Sequence, residues 1–404
     1  MSGSNIWLIC KYASPKKYFF GTRHFSFATE WVKTGNDVTI ITSNSSHMTN
    51  ALPQFKEDSF EEFIEGVRTI WLNIPTSKSS NGLKRIISWF LFELHVLKLP
   101  KNNLPKPDTV IISSLSLLSV WSGLYFSWKY KAKFIFEVRD IWPLSGIKLG
   151  NISKWNPLMM FLGVSERIGY KYSDLIVGTM PNLVAHVKNT SPNYADKVIT
   201  IPQVYDKEFY ENEQEALPQT FIDKYLNGNN FIICYAGTVS SNNPLNQLLD
   251  AAQGLNCTVL IVGEGKEKNR LINQYSMTKN IIFAPSIEKA QVQHLLSMVD
   301  VCYDSIESDI GEFGLSRNKW IDYMMARKPI ICAFNGYQSM INEAKSGYFV
   351  EYGNVPALKA LITKVISDPQ GVENLSKNAK RWIMENRSSE KMSKKYLQYI
   401  NNVH

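Results

Sequence analysis

The sequence predicts an α/β protein made of two doubly wound parallel-sheet domains. Apolar segments with strand character alternate with helical segments, a pattern typical of parallel sheets covered by helices on both faces. The alternation begins near Ile6 and starts again at Phe231, after a polar, turn-rich stretch. The chain of 404 residues also exceeds what one hydrophobic core usually serves. We therefore expect Rossmann-like domains at 1–203 and 231–385, joined by a linker at 204–230.

The first domain is expected to alternate strands and helices from its start. Its strands are predicted at Ile6–Cys10, Val38–Thr42, Thr69–Leu72, Thr109–Ile112, Phe134–Val138, Leu175–Gly178 and Val198–Ile201. Its helices are predicted at Phe25–Lys33, Leu83–Leu99, Leu115–Tyr130 and Met159–Tyr172. Crossovers of this kind place the carboxyl ends of the strands at one edge, where open α/β sheets bind ligands.

The second domain repeats the pattern. Strands are predicted at Phe231–Tyr235, Thr258–Val262, Ile281–Phe283, Val301–Tyr303 and Pro329–Cys332. Helices are predicted at Leu245–Gln253, Lys268–Tyr275, Lys289–Ser297 and Lys319–Ala326. A basic helical pattern at Asn374–Tyr399 ends the chain, and its last part, 386–404, is free to pack on either domain.

Bulk composition excludes several classes of protein. The apolar fraction of 44% and the charged fraction of 20% are those of a globular protein. No apolar run reaches the ~20 residues of a membrane span, and the start of the chain lacks the features of a secretory signal. The cysteines show no CxxC spacing, and buried thiols in a reducing compartment are expected: Cys10, Cys234, Cys257, Cys302 and Cys332. The sequence therefore predicts a cytoplasmic protein.

The charge balance predicts an anionic partner. The formal net charge is +8, which suits nucleic acid, anionic lipid or a phosphorylated small molecule. Zinc-finger spacing and RNP-type aromatic signatures are missing from the sequence, so nucleic acid ranks behind the other two.

The segment from Gly311 to Met324 is the richest in chemistry. Two glycines and Ser316 precede a helix, so backbone N–H groups can approach an anion at the helix N-terminus. Lys319 lies in the first turn, where a cation opposes the helix dipole unless an anion is bound there. The alternative is an ordinary serine-capped helix with a solvated lysine.

This segment resembles the nucleotide-sugar motif of family 4 retaining GT-B glycosyltransferases. The shared pattern is an acidic residue, Phe-Gly-x-Ser-x-x-Lys-x-x, a second acidic residue and Tyr-Met, ending at Lys328-Pro329. Within the family it looks most like bacterial transferases for N-acetyl-fucosamine and related amino sugars in O-antigen and capsule synthesis. The resemblance implies a GT-B fold with a ligand cleft between two Rossmann-like domains.

The resemblance also implies roles for individual residues. Glu312 would contact donor-sugar hydroxyls, Lys319 the diphosphate, and Asp322 the ribose hydroxyls in place of the family's second glutamate. Further donor-side groups are Phe313, Gly314, Leu315, Ser316 and Asn318.

Two other loops of the second domain are candidates for the donor. Gly237 and Thr238 follow a strand, where small residues let a ligand approach the backbone, and Ser286 and Ile287 resemble the family's nucleobase loop. Relatives carry a basic pair soon after this glycine, but 238–246 contains neither cation. The cationic role is therefore expected to pass to Lys319 and Arg139.

The turn Val262-Gly263-Glu264-Gly265 lacks the third glycine of a dinucleotide fingerprint. The resemblance supplies it as a structural turn of the nucleotide domain.

Charged residues also leave a predicted strand of the first domain. Glu137, Arg139 and Asp140 come together there, and they form either part of a ligand site or an internal ion-pair cluster. The run Glu-Val-Arg-Asp-x-Trp-Pro resembles the same transferases. It implies that Asp140 orients or deprotonates the acceptor and that Arg139 holds a phosphate or the cluster.

The loop around Gly21, Arg23 and His24 resembles the acceptor-facing segment of these enzymes. The alternative is a helix-capping loop with exposed charges.

The segment 83–101 starts with basic residues and is rich in aromatic ones, which suits a helix lying in a membrane interface. A buried crossover helix would also be apolar. The resemblance favours the membrane, because relatives use this region to reach lipid-linked acceptors.

Together with these observations, the resemblance implies a retaining glycosyltransferase on the inner face of the plasma membrane. It would move an N-acetylated amino sugar from a UDP-sugar to an undecaprenyl-diphosphate-linked saccharide. An Asp-x-Asp motif is missing from the nucleotide region, so we expect neither metal nor cofactor. Two alternatives are a UDP-sugar 2-epimerase of the same architecture and a catalytically silent, sugar-nucleotide-binding scaffold.

Overall fold

The chain divides into two compact units. The computed structural model describes residues 3–18, 22–46, 52–75, 82–99, 104–228, 230–306 and 309–403. Unit 1 comprises Met1–Pro202 and Ser389–His404, and unit 2 comprises Gln203–Ser388.

Unit 1 is built on a sheet whose eight described strands run in the order β3-β4-β2-β1-β5-β6-β7-β8. The order reverses between the neighbours β1 and β5, as in doubly wound folds. The strands are β1 Asn5–Ile9, β2 Asp37–Ser43, β3 Ser59–Ile64, β4 Val67–Leu72, β5 Thr109–Ser113, β6 Lys133–Val138, β7 Leu175–Gly178 and β8 Val198–Thr200.

Strand β3 is the antiparallel exception in this sheet and was not predicted. It pairs with β4 through a two-residue turn at Glu65 and Gly66, whose φ angles are 49° and 78°. Positive φ at both positions matches the twist that tight hairpins need. A Glu-Gly pair is a weaker hairpin signal than Asn-Gly, and β3 is a largely solvent-facing edge strand, so its sequence lacks an apolar run.

The helices of unit 1 cover the sheet and include the last one of the chain. They are α1 Arg23–Lys33, α2 Gly82–Lys98, α3 Ser119–Tyr130, α4 Leu144–Lys148, α5 Pro157–Tyr172, α6 Leu183–Thr190 and α15 Ser389–Asn402. Helix α15 packs on α1, where the indole of Trp31 donates to the carbonyl of Ser393 at 3.1 Å and stacks edge-on against Tyr396.

Unit 2 has six parallel strands in the order β11-β10-β9-β12-β13-β14. This is the Rossmann order, with its switch point between β9 and β12. The strands are β9 Ile232–Ala236, β10 Thr258–Val262, β11 Ile281–Ala284, β12 Val301–Ile306, β13 Ile330–Phe334 and β14 Gly347–Val350. Nearly every residue of β9, β10, β12 and β13 is buried, so the sheet forms a core between two helix layers.

The helices of unit 2 begin within the segment predicted as a linker. They are α7 Lys207–Asn212, α8 Gln219–Tyr225, α9 Asn246–Ala252, α10 Lys268–Gln274, α11 Val292–Ser297, α12 Asn318–Met325, α13 Val355–Ile366 and α14 Pro369–Asn386. The structure thus differs from a polar linker at 204–230, because Leu217, Phe221 and Leu226 belong to the apolar core of unit 2.

The predicted single helix at Asn374–Tyr399 is two helices, α14 and α15. The break lies at Arg387, whose carbonyl accepts from the amide of Tyr205 at 2.9 Å. Ser388 then forms an isolated bridge with Tyr205. These bonds hold the chain in an extended conformation where it leaves unit 2, so the helical pattern cannot continue through this point.

The five cysteines are all buried and unpaired, as predicted. None of the helices in the described part of the chain combines the length and the hydropathy that a membrane span requires.

Candidate functional site

Unit 2 contains an open cavity of about 400 Å³ at the carboxyl ends of its strands. That volume falls within the range of small-molecule sites. Five residues predicted to bind the donor line it: Gly237, Thr238, Ser286, Ile287 and Asp322. The other lining residues are Ala236, Val262, Gly263, Glu264, Lys289, Val292 and Tyr323.

Glycine in the turn after β10 is required by a close backbone approach. A Cβ placed on Gly263 would lie 1.9 Å from the carbonyl oxygen of Gly237, and the amide of Gly237 donates to Val262 O at 2.9 Å. The turns after β9 and β10 therefore lie side by side, with their backbone on the cavity wall. This structural role of Gly263 is the one that the resemblance supplied for the turn.

Asp322 is buried at the cavity wall, with one carboxylate oxygen already bound. Its Oδ1 accepts from the hydroxyl of Tyr210 at 2.6 Å and from the ammonium of Lys289. Burial, together with the Asp322 charge, raises the pKa of Tyr210 well above its usual value, so the phenol stays a hydrogen-bond donor. Oδ2 accepts no hydrogen bond from the described residues, which leaves it available for a ligand hydroxyl.

Asp304, on β12, collects three donors in a fully buried position. Arg317 Nη1 donates to both of its carboxylate oxygens, at 2.6 and 2.8 Å, and Trp320 Nε1 donates at 2.7 Å. Lys319 Nζ lies 3.1 Å from Oδ1. Burial alone would raise the pKa of Asp304, but the charges of Arg317 and Lys319 lower it, so the carboxylate is ionised.

Lys319 is held beside the cavity wall. Its ammonium lies 3.1 Å from the hydroxyl of Tyr235 and 4.3 Å from the centre of that ring. A Cβ placed on Gly237 would lie 3.5 Å from the same nitrogen, so the cation is next to the cavity-lining backbone. Burial lowers the pKa of Lys319 to about 8, with Asp304 opposing the shift. The side chain is 16% exposed and the helix N-cap is Arg317, which disfavours the alternative of a serine-capped helix with a solvated lysine.

The remaining motif residues lie away from the lining of the described cavity. Phe313 and Leu315 are buried, whereas Glu312 and Asn318 are exposed. Their predicted donor contacts stay predictions.

Two backbone or hydroxyl groups of the motif already have protein partners. The amide of Gly314 donates to Gly311 O at 2.9 Å, and the hydroxyl of Ser316 accepts from the amide of Gln203 at 2.8 Å. Their predicted contacts with sugar and phosphate also stay predictions.

Comparisons with known proteins bear on this site. Residues 219–382 match the family model of glycosyl transferases group 1, a range that lies within unit 2 and contains every residue of the cavity wall. Unit 2 therefore contains a region similar to the group 1 glycosyl transferases. No curated protein matches the chain in sequence.

Solved structures show that the chain has the GT-B fold. Sucrose-phosphate synthase of Thermosynechococcus elongatus is similar, with a TM-score of 0.72 at 14% identity over 98% of both chains. HepE of Anabaena in complex with UDP-glucose gives 0.68 at 12% identity, covering 98% of this chain and 99% of that one. WaaG, a glycosyltransferase involved in lipopolysaccharide biosynthesis, gives 0.65 at 12% identity over 98% and 100%.

In unit 1, Glu137 forms an internal ion-pair cluster. Its Oε1 lies 2.9 Å from His24 Nε2 and 3.3 Å from Arg23 Nε, and all three side chains are buried. Arg23 also donates from Nη2 to the carbonyl of Ile201 at 2.6 Å and from Nη1 to that of Pro202. Burial would raise the pKa of Glu137, but its cationic neighbours lower it far below the usual range.

The cluster differs from the expectation for the N-terminal loop. Arg23 and His24 were predicted to face the acceptor, or else to be exposed charges of a capping loop, but α1 begins at Arg23 and its first turn directs both inward onto Glu137. Gly21, the third residue of that prediction, lies outside the described residues.

Arg139 and Asp140 follow β6 and are half-buried. Arg139 Nε and Nη1 are buried atoms that donate to no described residue. Asp140 is fixed by two serines: Ser145 donates to its Oδ1, and Ser114 donates to its carbonyl at 2.8 Å. Arg139 still belongs to the electrostatics of the Glu137 cluster, because its charge helps to lower the pKa of the Glu137 carboxyl.

Sequence reasoning missed four residues of the unit 2 site: Asp304, Arg317, Tyr210 and Lys289. Asp304 interrupts an apolar strand, and a charge in that position needs cations, so it was a usable signal for the partnership with Arg317 and Lys319. Tyr210 and Lys289 carried no such signal, because only the fold brings α7 and the segment before α11 to Asp322.

Described His, Cys, Asp and Glu side chains do not group in threes as a metal site would need, and metal independence stays a prediction.

Proposed function

We propose that the chain transfers a sugar from a UDP-sugar to a lipid-linked saccharide with retention of anomeric configuration. The observation that supports it most is the cavity in the group 1 domain. One wall there is turn backbone, and the other carries a carboxylate with one oxygen unbound. A nucleoside diphosphate needs both kinds of wall, because its phosphates accept from amides and its ribose hydroxyls donate to a carboxylate.

The donor is assigned to this cavity with the ribose at Asp322 and the base beside Ser286 and Ile287. Uracil is favoured on two supporting grounds. The fold is shared with HepE, whose structure was solved with UDP-glucose, and with an E. coli structure described as trehalose-6-phosphate bound with UDP-2-fluoro glucose.

The diphosphate is assigned to the region of Gly237, Lys319 and the N-terminus of α12. Negative charge grows on the leaving diphosphate as the glycosidic bond breaks, and fixed donors lower the energy of that state most effectively. The Asp304 cluster holds Lys319 in place before the substrate arrives, so little reorganisation is needed during the reaction. We assign Glu312 to the donor-sugar hydroxyls, as the family motif implies.

The acceptor is assigned to unit 1, at the end of β6. We assign Arg139, which has two buried donors without a described partner, to an acceptor phosphate. Asp140 is assigned to orient or deprotonate the attacking hydroxyl, and Ser145 donates to its carboxylate. We propose an undecaprenyl-diphosphate-linked saccharide at the inner leaflet, reached through 83–101, and an N-acetylated amino sugar as the transferred group. The product would belong to O-antigen or capsule synthesis.

A panel of UDP-, GDP- and dTDP-sugars in a thermal-shift assay tests the donor. A ligand that binds only the folded state stabilises it, by about 2.7 kcal/mol at a hundredfold excess over Kd. The melting temperature rises as a result. UDP-N-acetylhexosamines should give the largest shift, and a larger shift with GDP-sugars would overturn the uridine assignment. Incubation with donor alone separates the alternatives, because an epimerase converts the sugar without any acceptor.

A further inference from the structure

Glu264 lies on the cavity wall, in the turn after β10, and its side chain is 60% exposed. The neighbouring turn after β9 fixes its backbone, because the amide of Val239 donates to the carbonyl of Glu264 at 2.9 Å. A Cβ placed on Gly265 would lie 1.9 Å from the carbonyl oxygen of Val239, so the two turns are in close contact. The point from which the Glu264 side chain extends is therefore set before a ligand arrives.

Lys268, the first residue of α10, connects this turn to the end of β11. Its Nζ donates to Glu264 Oε1 at 2.7 Å and to the carbonyl of Ala284 at 2.8 Å. The amide of Gly263 donates to the same carbonyl at 3.4 Å. An exposed ion pair at this spacing would contribute little, but the Lys268 side chain is only 11% exposed. The cation is thus enclosed between two segments of the cavity wall and links them.

The loop that follows β11, residues 285–287, is held by the same carboxylate. Hydrogen bonds from Lys268 and from the backbone amide of Ser286 lower the pKa of the Glu264 carboxyl, so the group is ionised at neutral pH. The turn after β10 therefore fastens both the end of β11 and the loop beyond it.

Ile287 keeps its backbone groups for a ligand. Neither its amide nor its carbonyl pairs with a residue in the part of the chain that the structure describes, and it lines the cavity. The amide of Ser286, by contrast, is bound to Glu264. One donor and one acceptor on the same residue complement the pairing edge of a nucleobase, where an acceptor and a donor are adjacent. The base edge is therefore expected at Ile287 rather than at the amide of Ser286.

Asp322 and Ile287 delimit the space for the nucleoside, since the ribose is assigned to the first and the base to the second. A pyrimidine presents its pairing edge on the ring that is attached to the ribose. In a purine that edge belongs to the second ring, so it lies farther from the ribose. A loop fixed at one distance from Asp322 suits one class of base, whereas a loosened loop accepts both.

We propose that Glu264 and Lys268 are positioning residues that hold the loop 285–287 at the distance required by a pyrimidine nucleotide, and so disfavour purine nucleotides. The ammonium also offsets the charge of a carboxylate that would otherwise repel the diphosphate. The inference deepens the proposed function and rests on its placement of the ribose and the base.

Titration calorimetry with UDP and GDP tests the loop, because the two ligands share ribose and diphosphate and differ in the base. The test variant is Glu264→Ala, which removes the acceptor for Ser286 and Lys268 while truncating a largely exposed side chain. In Glu264→Gln, the conservative variant, an amide oxygen still accepts from both donors. Glu267→Ala is the matched control, because Glu267 pairs with the exposed Arg270 and does not line the cavity.

The wild type and the control should prefer UDP to GDP. The ratio of the two dissociation constants should fall about threefold to tenfold in Glu264→Ala, as expected for the loss of one hydrogen bond, and should be retained in Glu264→Gln. Equal weakening of both nucleotides would overturn the inference, because a purely structural or electrostatic role affects the two ligands alike. The same loss of preference in both Glu264 variants would also overturn it, since the charge rather than the hydrogen bonds would then be responsible.

Failure of the inference and failure of the proposed function are distinguishable in this experiment. A wild type that prefers UDP, with the same preference in Glu264→Ala, would contradict the inference and leave the donor assignment intact. A wild type that binds neither nucleotide would refute the proposed donor site and the inference with it. A preference for GDP would overturn both the uridine assignment and selection of a pyrimidine.

Discussion

Glu137 in unit 1 and Asp304 in unit 2 form similar buried ion-pair clusters in different surroundings. Each is a fully buried carboxylate on a parallel strand, and each holds two basic side chains. The cations at Glu137 turn inward, and Arg23 continues to the carbonyls of residues 201 and 202. At Asp304, by contrast, Lys319 ends beside Gly237 at the edge of an open cavity. A buried ion pair at the ligand edge of a sheet therefore does not by itself indicate a binding site. What indicates a binding site is an open cavity beside the cations of the pair.

The largest expected effect is on stability, from Glu137→Gln. Removing one charge of a buried cluster leaves the others uncompensated and typically costs about 3–5 kcal/mol. Urea unfolding followed by circular dichroism should show this loss, with sugar-nucleotide binding by the remaining folded protein unchanged. The matched control is Glu61→Gln, which breaks a partly exposed pair with Arg68 and should cost about 1 kcal/mol or less. Equal decreases in the free energy of unfolding in both variants would mean that the Glu137 cluster does not stabilise unit 1 as its burial indicates.

Lys319→Ala should reverse that pattern, with a large effect on turnover and a small one on stability. Asp304 keeps Arg317 and Trp320 as donors, so the buried carboxylate remains paired. Loss of one donor to the developing charge typically lowers kcat by about a hundredfold to a thousandfold. Transfer of radiolabelled sugar measures kcat, and Lys377→Ala, in an exposed pair with Glu373, is the control. Near-normal turnover would remove Lys319 from the mechanism.

The contrast between the two clusters also shows what the sequence can and cannot predict. Periodicity located most strands, because a strand buried on both faces must be continuously apolar, as in Thr258–Val262. It missed β3, whose residues are largely solvent-facing, and it took the core segment containing Phe221 for a linker. For the site, motif residues such as Gly237 and Asp322 were found because they lie in recognisable local patterns. Lys289 and Tyr210 were not, since their contacts with Asp322 arise only from packing between distant segments.

Asp322→Asn should weaken donor binding by about tenfold to a hundredfold, as expected for the loss of a charged hydrogen-bond acceptor. The amide still has an oxygen for Tyr210, so the fold should be retained. The decisive measurement is KM for a UDP-sugar and for its 2′- and 3′-deoxyribose analogues. If Asp322 binds ribose, the substitution should raise KM for the parent donor and much less for the analogue that lacks the contacted hydroxyl. Equal increases for all donors would place the carboxylate elsewhere, and Asp223→Asn, on the exposed side of α8, should change nothing.

Lys289→Met should have the smallest effect and tests how Asp322 is oriented. The Lys289 side chain is 32% exposed, so its ion pair with Asp322 is worth at most about 1 kcal/mol and is weakened by salt. We expect KM for the donor to rise about threefold at low salt with kcat unchanged, because the carboxylate loses the cation that holds Oδ1. Lys207→Met, in an exposed pair with Glu211, is the matched control. A fall in KM would reverse the assignment, since Lys289 would then be competing with the ligand hydroxyl for the carboxylate rather than presenting it.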